Sequence, residues 1–208
     1  MPARLTVCDH PMIQDKLACL RDKNTRPEDF RLVMREMSAL MGYEALKTVR
    51  TRRTQVQTPL RGAPAEYVDQ PIAVVAVLRA GLGMVPGLLH IAPKARIGHI
   101  GLYRNEETLN PVRYYVRLPK DIAECFTVLC DPMLATGGSA CEAIHILKTD
   151  GARQIALMTV LCSKTGVKKV QEAHPEVPIF TAAVDAQLNK AGYIVPGLGD
   201  AGDRLFAT

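Results

Sequence analysis

Residues 126–140, Phe-Thr-Val-Leu-Cys-Asp-Pro-Met-Leu-Ala-Thr-Gly-Gly-Ser-Ala, constrain the fold of this chain more than any other segment. The apolar, β-prone run Phe126 to Cys130 reaches an acid, Asp131. A short stretch then leads to Thr136, Gly137, Gly138 and Ser139, which open the helix-forming run Ala140 to Lys148. A strand feeding a small-residue turn into a helix makes a ready anion site. The first helical N–H groups lack partners, the helix dipole favours negative charge, and glycines let a phosphate approach the backbone closely. The Thr and Ser hydroxyls can donate to phosphate oxygens, and Asp131 can accept from sugar hydroxyls. The segment is neither a Walker loop nor Gly-x-Gly-x-x-Gly. The same residues also fit a plain Gly-rich turn with Ser139 as the N-cap.

The surrounding pattern is that of an α/β chain. Ile72 to Leu78 is a continuous apolar run, as in a parallel strand buried on both faces. Further strands are expected at Arg96–Tyr103, Arg113–Leu118, Ile155–Cys162 and Ile179–Val184, and helices at Ala140–Thr149 and Lys164–His174. Near the N-terminus, Thr25 and Glu28 have the spacing of a capping box, followed by Phe30, Val33, Met34, Met37, Leu40 and Met41 on one helical face. Residues 54–70 read as a connecting arm or hairpin. Strands alternating with helices predict a doubly wound, mainly parallel sheet in a single domain over 1–208, with ligands collecting at the strand C-termini.

Composition removes several function classes. With 208 residues, 48% hydrophobic and 23% charged, the chain can build a substantial core, and disorder is not expected. A net charge of +5 without a long Lys/Arg run suits an anionic small substrate and argues against nucleic acid. Arg50-Thr51-Arg52-Arg53 is the densest basic cluster, read first as a solvated face and second as a nucleotide-effector contact. The six cysteines show no Cys-x-x-Cys pair and read as buried free thiols rather than a zinc site or cystine frame. The histidines 10, 90, 99, 145 and 174 match no dyad or metal spacing and are read as structural. No leader peptide or membrane-length apolar run is visible, so a cytoplasmic protein is expected.

Three more segments carry polar chemistry. Arg79-Ala80-Gly81 follows the Ile72–Leu78 strand, where a guanidinium and backbone N–H groups can meet a diphosphate, or where Arg79 can simply pair at a helix start. Arg104 to Pro111 is a polar connection between two strands. Tyr193 to Gly202 combines glycines with Pro196 and Asp200 in an irregular C-terminal loop, flanked by Lys190 and Asp203, both read as surface residues.

Asp131 through Ser139 resembles the phosphoribosyl-diphosphate (PRPP) loop of the type I phosphoribosyltransferases, and Pro132, where most of that family has a second acid, points to its uracil branch. Leu78–Met84, Tyr103–Leu109 and Tyr193–Asp203 resemble the same branch, in the same order. The resemblance implies transfer of a phosphoribosyl group from PRPP to uracil, giving UMP and diphosphate in pyrimidine salvage. It implies PRPP binding by Arg79, Arg104, Asp131, Pro132, Met133, Leu134, Ala135, Thr136, Gly137, Gly138, Ser139 and Asp200. Uracil binding falls to Ile194, Gly199, Asp200 and Ala201, within a base-binding loop at 193–203. Catalytic roles fall to Asp131, Asp200 and Arg104, with no general base singled out. Residues 104–112 become a flap that closes over PRPP. Mg²⁺ is implied as cofactor, held mainly by PRPP and water rather than by a protein cage. A GTP effector and a homodimer or higher homo-oligomer are also implied. The chain departs from the branch at Cys162-Ser163-Lys164-Thr165-Gly166, a strand-end loop, which leaves the expected reaction intact. Two alternatives compete: a UMP- and RNA-binding regulator built on the same fold, and a transferase for another nucleobase.

Overall fold

A computed structural model describes residues 4–104 and 111–208. In chain order the elements are β1 (Leu5–Val7), α1 (Pro11–Arg21), α2 (Pro27–Ala45), β2 (Thr51–Gln57), β3 (Gly62–Val68), β4 (Ile72–Leu78), α3 (Val85–Ile91), β5 (Arg96–Arg104), β6 (Pro111–Arg117) and β7 (Phe126–Cys130). There follow β8 (Met133–Leu134), α4 (Gly138–Thr149), β9 (Gln154–Ser163), α5 (Lys164–Ala173), β10 (Ile179–Asp185), β11 (Gln187–Leu188), β12 (Ile194–Val195) and α6 (Ala201–Phe206). A short 3₁₀ turn, Ala80–Gly83, links β4 to α3.

The main sheet runs β1-β10-β9-β7-β4-β5-β6, with β8 added beside β9. Every pair is parallel except β5 with β6, which is antiparallel. Alternate residues of β4 serve opposite faces. Val74 and Ala76 join the core beneath α1, α2, α3 and α6, whereas Ala73, Val75 and Val77 join the core beneath α4 and α5. Helices on both faces explain why β4 and β7 are apolar throughout instead of alternating. From β4 the chain winds outward through β5, and from β7 it winds the other way through β9 and β10. The order therefore reverses between β4 and β7. Their C-terminal ends flank the crevice where such sheets take ligands.

The long helix α2 is amphipathic. Phe30, Met34, Met37 and Met41 are fully buried in the core, each contributing about 1.5–3 kcal/mol. Leu40, expected on that stripe, is exposed. Its place on the helix puts it one residue before the Met41 row, outside the buried arc. The expected capping box is not formed. Arg26 is the N-cap and makes no side-chain cap, while the Thr25 hydroxyl donates to Cys19 O at the end of α1. Glu28 and Asp29 still place negative charge in the first turn, where the dipole favours it, and both pair with Arg26. The arm expected at 54–70 falls on the antiparallel hairpin of β2 and β3, whose side chains are mostly exposed. All cysteines are free. Cys8, Cys125, Cys130 and Cys162 are buried, Cys141 is partly so, and Cys19, expected to be buried, lies exposed on the outer side of α1. Among the described residues no helix is long and apolar enough to cross a membrane.

Candidate active site

The loop after β7 is built in two parts. Pro132 to Ala135 are pinned to β9. Pro132 O accepts from Val160 N and Leu161 N at 3.0 Å, Leu134 N donates to Thr159 Oγ1 at 3.2 Å, and Ala135 O accepts from Ser163 Oγ at 2.5 Å. Pro132 and Leu134 are buried. Within the segment 131–139, expected to be a single loop, Met133 and Leu134 form the short strand β8. Thr136 to Ser139 make the second part, the turn into α4. Gly137, not Ser139, is the N-cap, with φ +80°. A Cβ there would also meet Gly166 O at 3.0 Å, so only glycine fits without strain. Gly138 is different. A Cβ on it would meet nothing closer than Lys169 Nζ at 3.8 Å and Thr136 Oγ1 at 3.9 Å, so there is room beside it.

Asp131 sits at the mouth of this loop. Its Oδ1 accepts one backbone hydrogen bond, from Met133 N at 3.4 Å. Burial pushes its carboxyl up to about 6, with that single donor pulling the other way. A carboxylate so poorly supplied with donors gains from hydroxyl groups brought by a ligand.

Across the crevice, β4 ends at Leu78, followed by Arg79 after a cis peptide. Gly81 packs directly against the end of β7, where a Cβ would meet Cys130 O at 2.4 Å. Gly83 packs against α6, where a Cβ would lie 2.7 Å from both Leu205 methyl carbons. Two small residues thus let the Arg79 turn touch both β7 and α6. Arg79 is half-exposed, its Nη2 3.3 Å from Asp203 Oδ1 and its guanidinium 5.8 Å from the Phe206 ring centroid. Asp200 caps α6, its Oδ1 accepting from Asp203 N at 3.0 Å. A Cβ at Gly202 would stand 3.1 Å from Asp200 Oδ1 and 3.9 Å from Arg79 Nη2. Arg79, Asp200 and Asp203 are therefore one cluster. Asp203, expected as a surface residue, is exposed and also pairs with Arg79; its position three residues after Asp200 at a helix start is the signal that the sequence offers for this.

The 193–203 segment is held by Arg21, Asp185 and Arg204, none of which belongs to a recognisable sequence motif. Asp185, at the end of β10 and 8% exposed, takes both Arg21 guanidinium nitrogens at 2.7 and 2.8 Å and accepts from Gly197 N at 2.9 Å. Arg21 also donates to Gly197 O at 2.9 Å. This bidentate pair holds the Asp185 carboxyl below the usual range. Arg204 donates to Leu198 O at 2.9 Å, Asp22 O at 2.5 Å and Leu20 O, and stacks 4.4 Å from the Phe30 ring centroid. Gly197 and Gly199 both have positive φ, and a Cβ at Gly197 would collide with Ile194 O at 2.1 Å. Ile194 and Ala201 are buried, while Gly199 and Asp200 are exposed. Asp185→Asn should therefore loosen the loop. We expect the variant to melt several degrees below the wild type, because removing one partner strands the Arg21 charge. Thermal melts of the two proteins check this.

The structure thus sets the Arg79, Asp200 and Asp203 cluster close to the end of β7, where Asp131 opens the loop that leads to the Thr136–Ser139 turn, with Gly199 and Ala201 adjoining Asp200 in the chain. Residues 105–110 of the expected flap lie outside the described residues, as does the Arg104 side chain. Among the described residues no group of three metal-ligating side chains converges.

A family model described as uracil phosphoribosyltransferase matches residues 7–208. The chain is 51% identical over 207 residues to a curated uracil phosphoribosyltransferase from Clostridium kluyveri, covering 99% of each. Among solved structures, a protein from Aquifex aeolicus superposes with a TM-score of 0.92 at 36% identity, covering 98% of each chain. An adenine phosphoribosyltransferase from Trypanosoma brucei shares the fold, with a TM-score of 0.58 at 15% identity over 89% of this chain and 84% of that one.

Proposed function

The chain belongs to the uracil phosphoribosyltransferase family, and from that premise we propose how its crevice divides the work of transferring a phosphoribosyl group from PRPP to uracil. The reaction gives UMP and diphosphate, a pentosyl transfer. The observation that carries the assignment of roles is the meeting of the Arg79 turn, the 131–139 loop and the 199–203 segment at one sheet reversal.

The 5′-phosphate sits on the Thr136–Ser139 turn, where the first N–H groups of α4 and two hydroxyls face it. Asp131 accepts from the ribose hydroxyls, which favour its ionised form and offset its burial. Arg79 turns from Asp203 onto the diphosphate, where charge grows as the bond to the anomeric carbon breaks. Asp200, fixed as the α6 cap, stays beside the sugar and base, and its charge opposes that of the cation-like sugar. The base edge is read by backbone groups of the 194–201 segment. Water must also be kept from the sugar carbon, a task that the sequence resemblance gives to Arg104 and the 104–112 segment, of which residues 105–110 and the Arg104 side chain lie outside the described residues.

Mg²⁺ fits the oxygen chemistry here. The exposed Asp200 and Asp203 carboxylates suit a water-clad hard cation held by PRPP, and the ion supplies charge neutralisation to the departing diphosphate. A homodimer or higher assembly draws support from the thin hairpin of β2 and β3 and from exposed Tyr43, Tyr67, Val68 and Ile91 around a groove of about 850 Å³. A GTP effector would meet Arg50 in a second pocket of about 590 Å³ that it shares with Arg153 and Gln154.

Gly138→Val tests the phosphate assignment. Its Cβ position is free of protein atoms within 3.8 Å, so the variant should fold. The added side chain occupies the approach to the α4 N–H groups, and PRPP affinity should fall tenfold or more, roughly one charge-assisted hydrogen bond. Calorimetric titration of PRPP into the folded variant decides it. An unchanged dissociation constant would remove the loop from the site.

A further inference from the structure

We propose that Lys169, on α5, is a direct contact to the ribose 5′-phosphate, supplying the cation that the phosphate loop itself lacks. This rests on the reading of the Thr136–Ser139 turn as the 5′-phosphate site. Residues 131–139 contain no Lys or Arg, so a phosphate dianion would otherwise be met only by N–H groups and two hydroxyls.

The geometry comes from the junction of β9 and α5, which backs the loop. Gly166 is pressed against it, since a Cβ there would meet Leu134 O and Ala135 O at 2.6 Å. Ser163 caps α5 by accepting from Gly166 N at 2.9 Å and donates to Ala135 O, so one hydroxyl ties the helix start to the loop. One turn along, Lys169 begins behind Gly137, its Cβ 3.2 Å from where a Gly137 Cβ would lie. It ends over Gly138. Its Nζ is 3.8 Å from the Cβ position of Gly138, and Thr136 Oγ1 is 3.9 Å from the same point. The ammonium thus overhangs the first residue of α4, beside a hydroxyl that faces the same space. Its field also reaches Cys141 in the first turn, where it opposes the burial that raises that thiol.

The neighbouring Lys168 points to Glu172 on its own helix. Among the described residues Lys169 has no carboxylate or hydrogen-bond partner. An ammonium without a counter-ion beside a helix N-terminus is placed against the local dipole, an arrangement that an incoming dianion relieves. Lys169 is exposed, so its contribution must be salt-dependent.

The test is direct binding of ribose 5-phosphate to the wild type, Lys169→Ala and Lys169→Arg, with melting temperatures to verify folding. Lys169→Ala should bind it about tenfold more weakly at low salt, and Lys169→Arg should recover most of the loss. The gap between wild type and Lys169→Ala should close as salt is raised, which a merely structural lysine would not produce. Inorganic diphosphate, which takes the Arg79 side, should bind all three alike. Equal ribose 5-phosphate affinities, or an equal loss for diphosphate, would overturn the proposal. Failure of the wild type to transfer the phosphoribosyl group of PRPP to uracil would instead count against the function, and the ribose 5-phosphate comparison would still decide Lys169.

Discussion

Cytosine offered with PRPP is expected to react about 10⁴-fold less efficiently than uracil. Uracil presents two carbonyl acceptors and two N–H donors, and cytosine replaces one acceptor by an amino group and one donor by a bare ring nitrogen. The 194–201 segment can answer only with backbone and Asp200. Ile194 and Ala201 turn their side chains into the core, and Gly197 and Gly199 carry none. A backbone N–H cannot rotate away from a mismatched donor, so closing over cytosine leaves buried groups unpaired. Sites that hydrogen-bond a substrate edge reject the wrong edge by about 10⁴-fold for this reason. The ratio of kcat/KM for the two bases measures it, and a ratio near unity would mean that this segment does not read the base. Because α6 and the Arg21–Asp185 pair hold the segment, truncating Ile194 or Ala201 should change stability more than base choice.

Arg79→Ala should lower kcat/KM for PRPP by about 10²–10³-fold, the usual cost of losing one preorganised donor to a charge that grows in the transition state. In the free protein the guanidinium is held by Asp203 at 3.3 Å and lies half-exposed, so it can exchange that carboxylate for a diphosphate without unfolding its turn. Arg79→Lys should rescue only part, since a point charge cannot reproduce a two-pronged contact. Removing Arg79 also frees Asp203 beside the diphosphate, adding repulsion. Wild-type kinetics in Arg79→Ala would assign this arginine to α6 stability alone.

The elements legible in the sequence are those whose signals are local. The run Ile72–Leu78 announces a strand covered on both faces, and Phe126–Cys130 followed by a Gly-Gly turn announces a strand-to-helix joint. Both lie where expected, and with them the sheet reversal that makes the crevice. The failures share a cause as well. Thr25 has the spacing of a capping residue, but its hydroxyl is taken by Cys19 O of the preceding helix, a competitor that the spacing rule does not see. Met133 and Leu134 look like loop, yet their pairing with Leu161 and Cys162 comes from a strand further along the chain. Arg21 and Asp185, 164 residues apart, carry no mark in sequence that they will meet. Asp185 offered one hint, an acid closing an apolar strand. Lys169 shows in sequence only as part of a helix, because its reach over Gly138 depends on how α5 docks on the loop.

The most direct measurement of the account is the reaction itself, with the wild-type protein, PRPP, Mg²⁺ and uracil. UMP and diphosphate should appear one for one, with no ribose 5-phosphate beyond the uncatalysed background, since the base and not water reaches the sugar carbon. Absence of UMP, or PRPP consumed to ribose 5-phosphate with uracil left untouched, would contradict it.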